Sequence, residues 1–366
     1  MTDVSIPNYD KNNMPKTTKS AVLEKVFDID MKYTKLKEMG PTDVLIKVVA
    51  VGICGSDVHY YDQGHIGDFV VKKPLILGHE SSGVIVAVGD KVTKFKRGDR
   101  VAMEPGVPCG HCEACRTGHY NLCPNMQFMA TPPVNGDLTQ FIVYPQDFVY
   151  PIPENVSYEE ATLNEPLSVG VHATQKLGVD VGSSVLISGM GPIGLLAILA
   201  AKAHGADQII VSDAEQSRLD IAKKLGATNA VNIKNADVLD TVKTLTNGVG
   251  VDYAIEASGT VPGEQTSLHA LKRGGKVAYI GVPTTDQTPL DVPFMTDHET
   301  TIMGIFRYCN NYQTGLKILA KNTKLVDNLL TNFYPLDQTK AALEKSRTDK
   351  SNSIKVIIYP NEQLRK

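Results

Sequence analysis

Two textures of hydrophobic patterning divide the 366-residue chain near residue 165. Before that point apolar residues come in short runs, "TDVLIKVVAVG", "SSGVIVAVGD" and "GDRVAM", punctuated by Gly, Pro and Asp. Runs of this length between turn formers predict strands, so the first part reads as an irregular β-rich domain. After residue 165 apolar strands alternate with helical periodicity. "SSVLISG" (183–189) leads into a helix over about 192–204, and "DQIIVSD" (207–213) into another over about 215–225; "VDYAIEAS" (251–258) and "GKVAYIG" (275–281) continue the series. That alternation predicts βαβ units on a parallel sheet. The last strand-like run, "SNSIKVIIYP", fits either domain by pattern alone.

The length allows two domains, each with a sizeable apolar interior. With 42% hydrophobic and 21% charged residues, and Lys+Arg 37 against Asp+Glu 40, the chain is neither a disordered segment nor a nucleic-acid footprint. The expected partner is a small soluble molecule. No 18-residue apolar run occurs, and the N-terminus "MTDVSIPNYDKNNMPKTTKS" lacks the regions of a signal peptide, so neither a membrane nor secretion is expected and the cytoplasm is the default. Thiols stay reduced there, which turns clustered cysteines toward metal rather than disulfides.

Gly189, Gly191 and Gly194 follow "SSVLIS" in "GMGPIG" and open the next helix. The first permits a tight turn, the second lets backbone approach a pyrophosphate, and the third lets helix and strand pack closely. Asp213 follows about 20 residues later at the end of "IIVSD", where a carboxylate accepts from ribose hydroxyls and repels a 2′-phosphate. NAD is therefore expected over NADP, and Glu215 is expected to add to the repulsion. The bland alternative is a glycine-rich turn with a helix-capping Asp.

"CGHCEACRTGHYNLC" carries Cys109, Cys112, Cys115 and Cys123 at the spacing C-x2-C-x2-C-x7-C. Cysteines three apart close loops too small to pair well, whereas four thiolates on a short lobe close a tetrahedral Zn²⁺. An iron–sulfur cluster, suggested by Cys123-Pro124, and unliganded thiols stay open as alternatives. A four-thiolate site has no position for substrate, so chemistry must lie elsewhere. Cys54 in "GICGSD" and His79-Glu80 in "LGHESSG" look like three ligands leaving one position open; singly, each has an ordinary structural reading. Glu165 in "LNEPLSVG" is a fourth carboxylate ligand, a nearby helper, or a solvated glutamate before Pro166.

The chain resembles the zinc-dependent medium-chain dehydrogenases from about residue 20 to its end. "GICGSD", "GHESSGVIVAVG", "KRGDRVA" and the cysteine lobe are similar to that superfamily at large, whose N-terminal domain is GroES-like. "GICGSDVHYYDQGHIGDFVVKKPLILGHE", "EPGVPC", "MATPPVNG", "EPLSVGVHA" and "GIFRYCNNY" look like its sorbitol and xylitol dehydrogenase branch. The resemblance implies an α/β architecture: a GroES-like catalytic domain over 1–167 with a structural-zinc lobe at 105–125, a Rossmann NAD-binding domain over 168–307, and a return to the catalytic domain over 308–366. It implies a catalytic zinc on Cys54, His79 and Glu80 with Glu165 in direct or water-mediated contact, the alternative being Glu165 as third ligand with Glu80 behind the zinc, and a structural zinc on the four lobe cysteines. It assigns Tyr60, Glu165, Arg307 and Tyr308 to polyol contact, and Ile193, Asp213, Arg218, Ile280, Gly281, Val282, Phe306 and Arg307 to NAD contact. It also suggests a homo-oligomer, tetrameric or dimeric. Two departures stand out: the lobe cysteines that animal sorbitol dehydrogenases lack are all present, and His65 falls where "GRIG" is frequent.

The expected reaction is reversible oxidation of a sugar alcohol to a ketose, xylitol to D-xylulose or sorbitol to D-fructose. Zn²⁺ makes a substrate hydroxyl acidic, hydride passes from the resulting alkoxide to nicotinamide, and Ser56 and His59 relay the proton. The rivals are an L-arabinitol 4-dehydrogenase, a threonine or secondary alcohol dehydrogenase, or a non-catalytic NAD-binding scaffold.

Overall fold

A computed structural model of the protein describes residues 6, 7, 9, 13–283 and 287–361. The chain divides into two compact units, Met1–Glu165 with Leu319–Lys366, and Pro166–Ile318.

The first unit is built on the strand Asp43–Gly52. Nine of its ten residues are buried, the exception being the half-buried Lys47, as expected of a strand covered on both faces, which reads as a continuous apolar run. It pairs antiparallel with Glu80–Val88, Phe141–Pro145 and Lys355–Tyr359. Arg100–Met103 and Val149–Pro151 extend the sheet on one side, and Leu330–Pro335 lies parallel to Lys355–Tyr359 on the other. Leu23, Ile46, Val48, Ile85, Met103 and Ile358 fill the core. The run that pattern left undecided, "SNSIKVIIYP", therefore lies beside Asp43–Gly52. The cysteine lobe is anchored through Glu104, whose carboxylate accepts from Tyr120 Oη at 2.6 Å and Tyr150 Oη at 2.9 Å.

The second unit is a six-stranded parallel sheet in the order Asn229–Asn232, Gln208–Asp213, Ser184–Ser188, Val251–Glu256, Leu271–Tyr279, Thr301–Gly304. The expected helices occur at Pro192–Ala203 and Gln216–Leu225. Ser184–Ser188 pairs with both Gln208–Asp213 and Val251–Glu256, so the strand order reverses direction beside it. In doubly wound sheets ligands bind at that reversal, off the carboxyl ends of the strands.

The crossings between units fall at 165/166 and 318/319, against the expected 167/168 and 307/308. The second lies inside the helical span Tyr312–Val326, ahead of a kink at Asn322. Tyr308 consequently belongs to the second unit, not to the returning segment. Among the described residues no helix is long and apolar enough to cross a membrane.

Candidate functional site

Cys54 follows the strand Asp43–Gly52 and caps the helix Gly55–Asp62, while His79 immediately precedes the strand Glu80–Val88. Because Gly52 is in register with Glu80, sheet pairing carries the three residues together. A sulfur of Cys54, a ring nitrogen of His79 and a carboxylate oxygen of Glu80 lie within 4.8 Å of one another. His79 and Glu80 are buried and Cys54 is half-buried.

Two buried charged residues hold this set. Asp57 Oδ2 accepts from the Cys54 N–H at 3.0 Å and Oδ1 from the Gly78 N–H at 2.9 Å, tying both loops together. Its Oδ1 is 3.6 Å from His79 Nδ1, too long for a hydrogen bond, and that nitrogen is buried without one. Burial opposes charge on His79, but the Asp57 carboxylate and the Cys54 sulfur outweigh it and raise the imidazole well above its ordinary range. Burial likewise opposes charge on Asp57, yet His79 and the two backbone donors keep its carboxyl below the usual value. Lys355 Nζ donates to Glu80 Oε2 at 2.6 Å, to Oε1 at 2.9 Å and to the Ile53 carbonyl at 3.1 Å. Against the cost of its burial, Glu80, Cys54 and Glu165 hold it in the charged form.

Sequence reasoning passed over both residues. Asp57 was signalled by its place three residues after a helix cap, the acid of a capping box. Lys355 was signalled as the one charge inside an apolar strand, "KVIIY", where a lysine is fully buried only with a partner.

Glu165 is buried at the second position of the helix Asn164–Leu177 and lies outside the trio of donors within 4.8 Å. Tyr60 is buried, and Ser56 and His59 are half-buried three positions apart, on the helix that Cys54 caps. His65 is exposed on the small hairpin His65–Ile66 with Phe69–Val70.

In the lobe, Cys109, Cys112, Cys115 and Cys123 bring their four sulfurs within 4.8 Å. Backbone N–H groups point at the cysteine sulfurs: Cys109 N–H to Cys123 Sγ and Cys112 N–H to Cys109 Sγ, both at 3.4 Å. Backbone donors at His111 and Cys112 pull the Cys109 thiol down to about 6, while desolvation and the neighbouring thiols push Cys115 up to about 12. Four thiols so close cannot all ionise alone; a divalent cation is what lets them.

In the second unit Gly189 has φ 88°, and a Cβ there would lie 2.7 Å from Ser258 Cα. A Cβ on Gly194 would lie 1.8 Å from the Gly189 carbonyl, so helix and strand pack at glycine distance. A Cβ on Gly191 would meet nothing within 4 Å, leaving open space over the N-terminus of Pro192–Ala203, whose cap makes no side-chain hydrogen bond. Uncapped N–H groups facing open space are a cradle for a pyrophosphate. Beside it a cavity of about 520 Å³ is lined by Gly189, Ser212, Asp213, Ile233, Ser258 and Thr260. Asp213 is oriented by the N–H groups of Met190 (2.6 Å) and Glu215 (2.7 Å), with lone pairs left for ribose hydroxyls. Lys234 Nζ lies 3.2 Å from Glu215 Oε1, an exposed ion pair that partly offsets the charge of that carboxylate.

The other assigned residues are also in this unit. Ile193 opens the helix after the glycines and Arg218 lies on Gln216–Leu225. Ile280, Gly281 and Val282 follow Leu271–Tyr279, with the Ile280 and Gly281 N–H groups bonded to the Glu256 carbonyl. After Thr301–Gly304 come Phe306, with Arg307 stacked over its ring at 4.6 Å, and the buried Tyr308.

A β-rich unit carrying an open three-donor set and a closed four-thiol set, joined in one chain to a dinucleotide-type sheet, defines a metal-dependent nicotinamide dehydrogenase. Residues 40–154 match the alcohol dehydrogenase GroES-like domain, and residues 192–321 the zinc-binding dehydrogenase domain. The chain is 50% identical to sorbitol dehydrogenase of Bacillus subtilis (strain 168) over 96% of its length and 99% of the relative's. It is 41% identical to sorbitol dehydrogenase of Bos taurus, over 92% and 95% of the two chains. With probable D-xylulose reductase A of Aspergillus fumigatus it shares 42% identity over 94% and 99%. Among solved structures, L-idonate 5-dehydrogenase from Escherichia coli aligns with TM-score 0.86 at 29% identity, over 94% of this chain and 98% of that one. The chain belongs to the zinc-dependent medium-chain dehydrogenase/reductase family, in its sorbitol/xylitol (polyol) dehydrogenase branch.

Proposed function

We propose that the protein is a zinc- and NAD-dependent polyol dehydrogenase that interconverts a sugar alcohol and a ketose, xylitol with D-xylulose or sorbitol with D-fructose. The observation that carries this reading is the donor set of Cys54, His79 and Glu80, one ligand short of a filled tetrahedral ion, in a chain with an open dinucleotide cradle. The fit to zinc lies in the chemistry of the donors, a thiol, an imidazole with an unsatisfied buried nitrogen, and a carboxylate. The relatives named for sorbitol and D-xylulose support a sugar alcohol over threonine or a simple secondary alcohol.

When bound, zinc supplies Lewis acidity toward a substrate hydroxyl and the nicotinamide supplies the hydride acceptor. The chain's residues do the remainder. Asp57 ties the Cys54 loop to Gly78, the residue before His79, and sets a carboxylate 3.6 Å from the imidazole. Ser56 and His59 share one helix face and pass the hydroxyl proton toward solvent. Tyr60, Glu165, Arg307 and Tyr308 are assigned by family resemblance to the remaining hydroxyls, where paired donors and acceptors reject substrates that lack them. Asp213 selects NAD. The four-cysteine lobe takes a structural zinc. A cytoplasmic homo-oligomer, tetrameric or dimeric, accords with the family resemblance.

Initial rates on xylitol, sorbitol, L-arabinitol, ribitol, threonine and a simple secondary alcohol, each with NAD and NADP, test the proposal. NAD-linked turnover of xylitol or sorbitol is expected. Activity confined to threonine or simple secondary alcohols would overturn the substrate assignment.

A further inference from the structure

Lys355 and Glu80 form an ion pair with side chains 2% and 0% exposed, at the sheet position that also delivers the Cys54 loop. Taking two charges out of water costs more than such a pair generally returns, so stability alone does not account for it. The ammonium touches both loops of the open donor set at once: both oxygens of Glu80, and the carbonyl of Ile53, the residue before Cys54. It arrives from far along the chain, on a strand whose Ile357 is in register with Gly52, so the ammonium reaches the set only when the C-terminal strand has docked.

The charge count gives this arrangement a consequence. A Cys54 thiolate and a Glu80 carboxylate together balance a divalent ion; Lys355 sets a positive charge directly on the Glu80 ligand, while the Asp57 carboxylate faces His79 and Glu165 also acts on the lysine. Each carboxylate oxygen has two lone pairs, so Glu80 can serve a metal and the ammonium together, with less electron density for the metal. We propose that Lys355 is a positioning residue that aims Glu80 and holds one positive charge against that ligand of the open metal site, loosening zinc while making the site more electron-withdrawing toward the substrate oxygen. This rests on the reading that Cys54, His79 and Glu80 hold zinc.

The test is chelator competition on zinc-depleted full-length protein, comparing wild type, Lys355→Met, Lys355→Gln, which keeps a donor without charge, and Lys355→Arg, which keeps the charge. Cobalt substitution, read by its thiolate charge-transfer band, assigns binding to the open site. Removing a unit charge one carboxylate away from the ion is expected to tighten zinc at that site at least about tenfold in both uncharged variants. Lys355→Arg is expected to stay within about threefold of wild type, and kcat is expected to fall in the uncharged variants while KM for NAD holds. A merely structural lysine would instead weaken binding. Unchanged or weaker zinc in Lys355→Met and Lys355→Gln overturns the proposal, as does failure of both to fold, since the lysine would then serve the fold. Should only Lys355→Met fail to fold, Lys355→Gln decides. Cys54→Ser separates the two ideas: if it binds zinc as wild type does, the reading of the site itself fails. If it loses one zinc while the Lys355 variants match wild type, only the role of Lys355 fails.

Discussion

A single methyl group at position 52 asks whether the Glu80 carboxylate has to be where it is. Gly52 ends the central strand of the first unit, in register with Glu80 on one side and Ile357 on the other. Its φ is not in the left-handed region, so alanine brings no backbone strain. The added Cβ would lie 2.3 Å from Glu80 Oε2, 3.3 Å from Glu80 Cβ and 3.3 Å from Lys355 Cδ. Ordinary contact begins near 3.4 Å, so the carboxylate must retreat by about 1 Å. Neither partner has solvent to retreat into. Overpacking a buried site costs about 1–3 kcal/mol, and breaking a buried ion pair about 3–5 kcal/mol. Gly52→Ala is therefore expected to destabilise zinc-depleted protein by about 2–4 kcal/mol, read from the urea midpoint and its slope. In zinc-loaded protein it is expected to empty the open site while the cysteine lobe keeps its metal. An unchanged midpoint with two zinc ions retained would refute the packing argument.

Three further perturbations separate the parts of the account. Asp213→Ala is expected to weaken NAD and relieve exclusion of NADP, because Lys234 already offsets Glu215; an unchanged NAD/NADP ratio of kcat/KM contradicts this. Cys112→Ser is expected to lower zinc content by one ion and reduce thermal stability, while the remaining zinc still supports turnover; retention of both ions contradicts a four-thiolate site. Asp137 is fully buried, and loss of solvation pushes its carboxyl up to about 7. Because its folded value lies above the unfolded one, the stability it contributes is present below about pH 4 and is lost as pH rises through about 7. Asp137→Asn should thus stabilise zinc-depleted protein at pH 8 relative to pH 5, by on the order of 2–4 kcal/mol. Equal pH slopes of the urea midpoint in variant and wild type would contradict it.

What sequence made legible follows from how local each signal is. The turn Gly189–Gly194 and the strand-end Asp213 form a contiguous motif whose spacing alone encodes the cradle. The four lobe cysteines sit within fifteen residues, and the four strands and two helices read in the second unit fall within a few positions of the observed ones, whereas its outer strands Asn229–Asn232 and Thr301–Gly304 are too short to stand out. Cys54 and the His79-Glu80 pair were visible as residues, but only the Gly52–Glu80 register brings their donor atoms together. Lys355 could not be joined to Glu80 by pattern, since their proximity depends on a strand added from the end of the chain. The second crossing between the compact units, 318/319, falls within the helical span Tyr312–Val326 rather than at a turn, so the pattern does not mark it. The contact of Lys234 with Glu215 joins residues 19 apart in sequence and was likewise outside what pattern could show.

The central claim is that chemistry belongs to the incomplete donor set and structure to the complete one. Zinc content and NADH formation from xylitol and sorbitol, measured together on wild type and Cys54→Ser, test it most directly. The account predicts about two zinc ions per wild-type chain, and in Cys54→Ser one zinc, a folded protein and no NADH formation. Two zinc ions in the variant, or undiminished turnover with one, would contradict it.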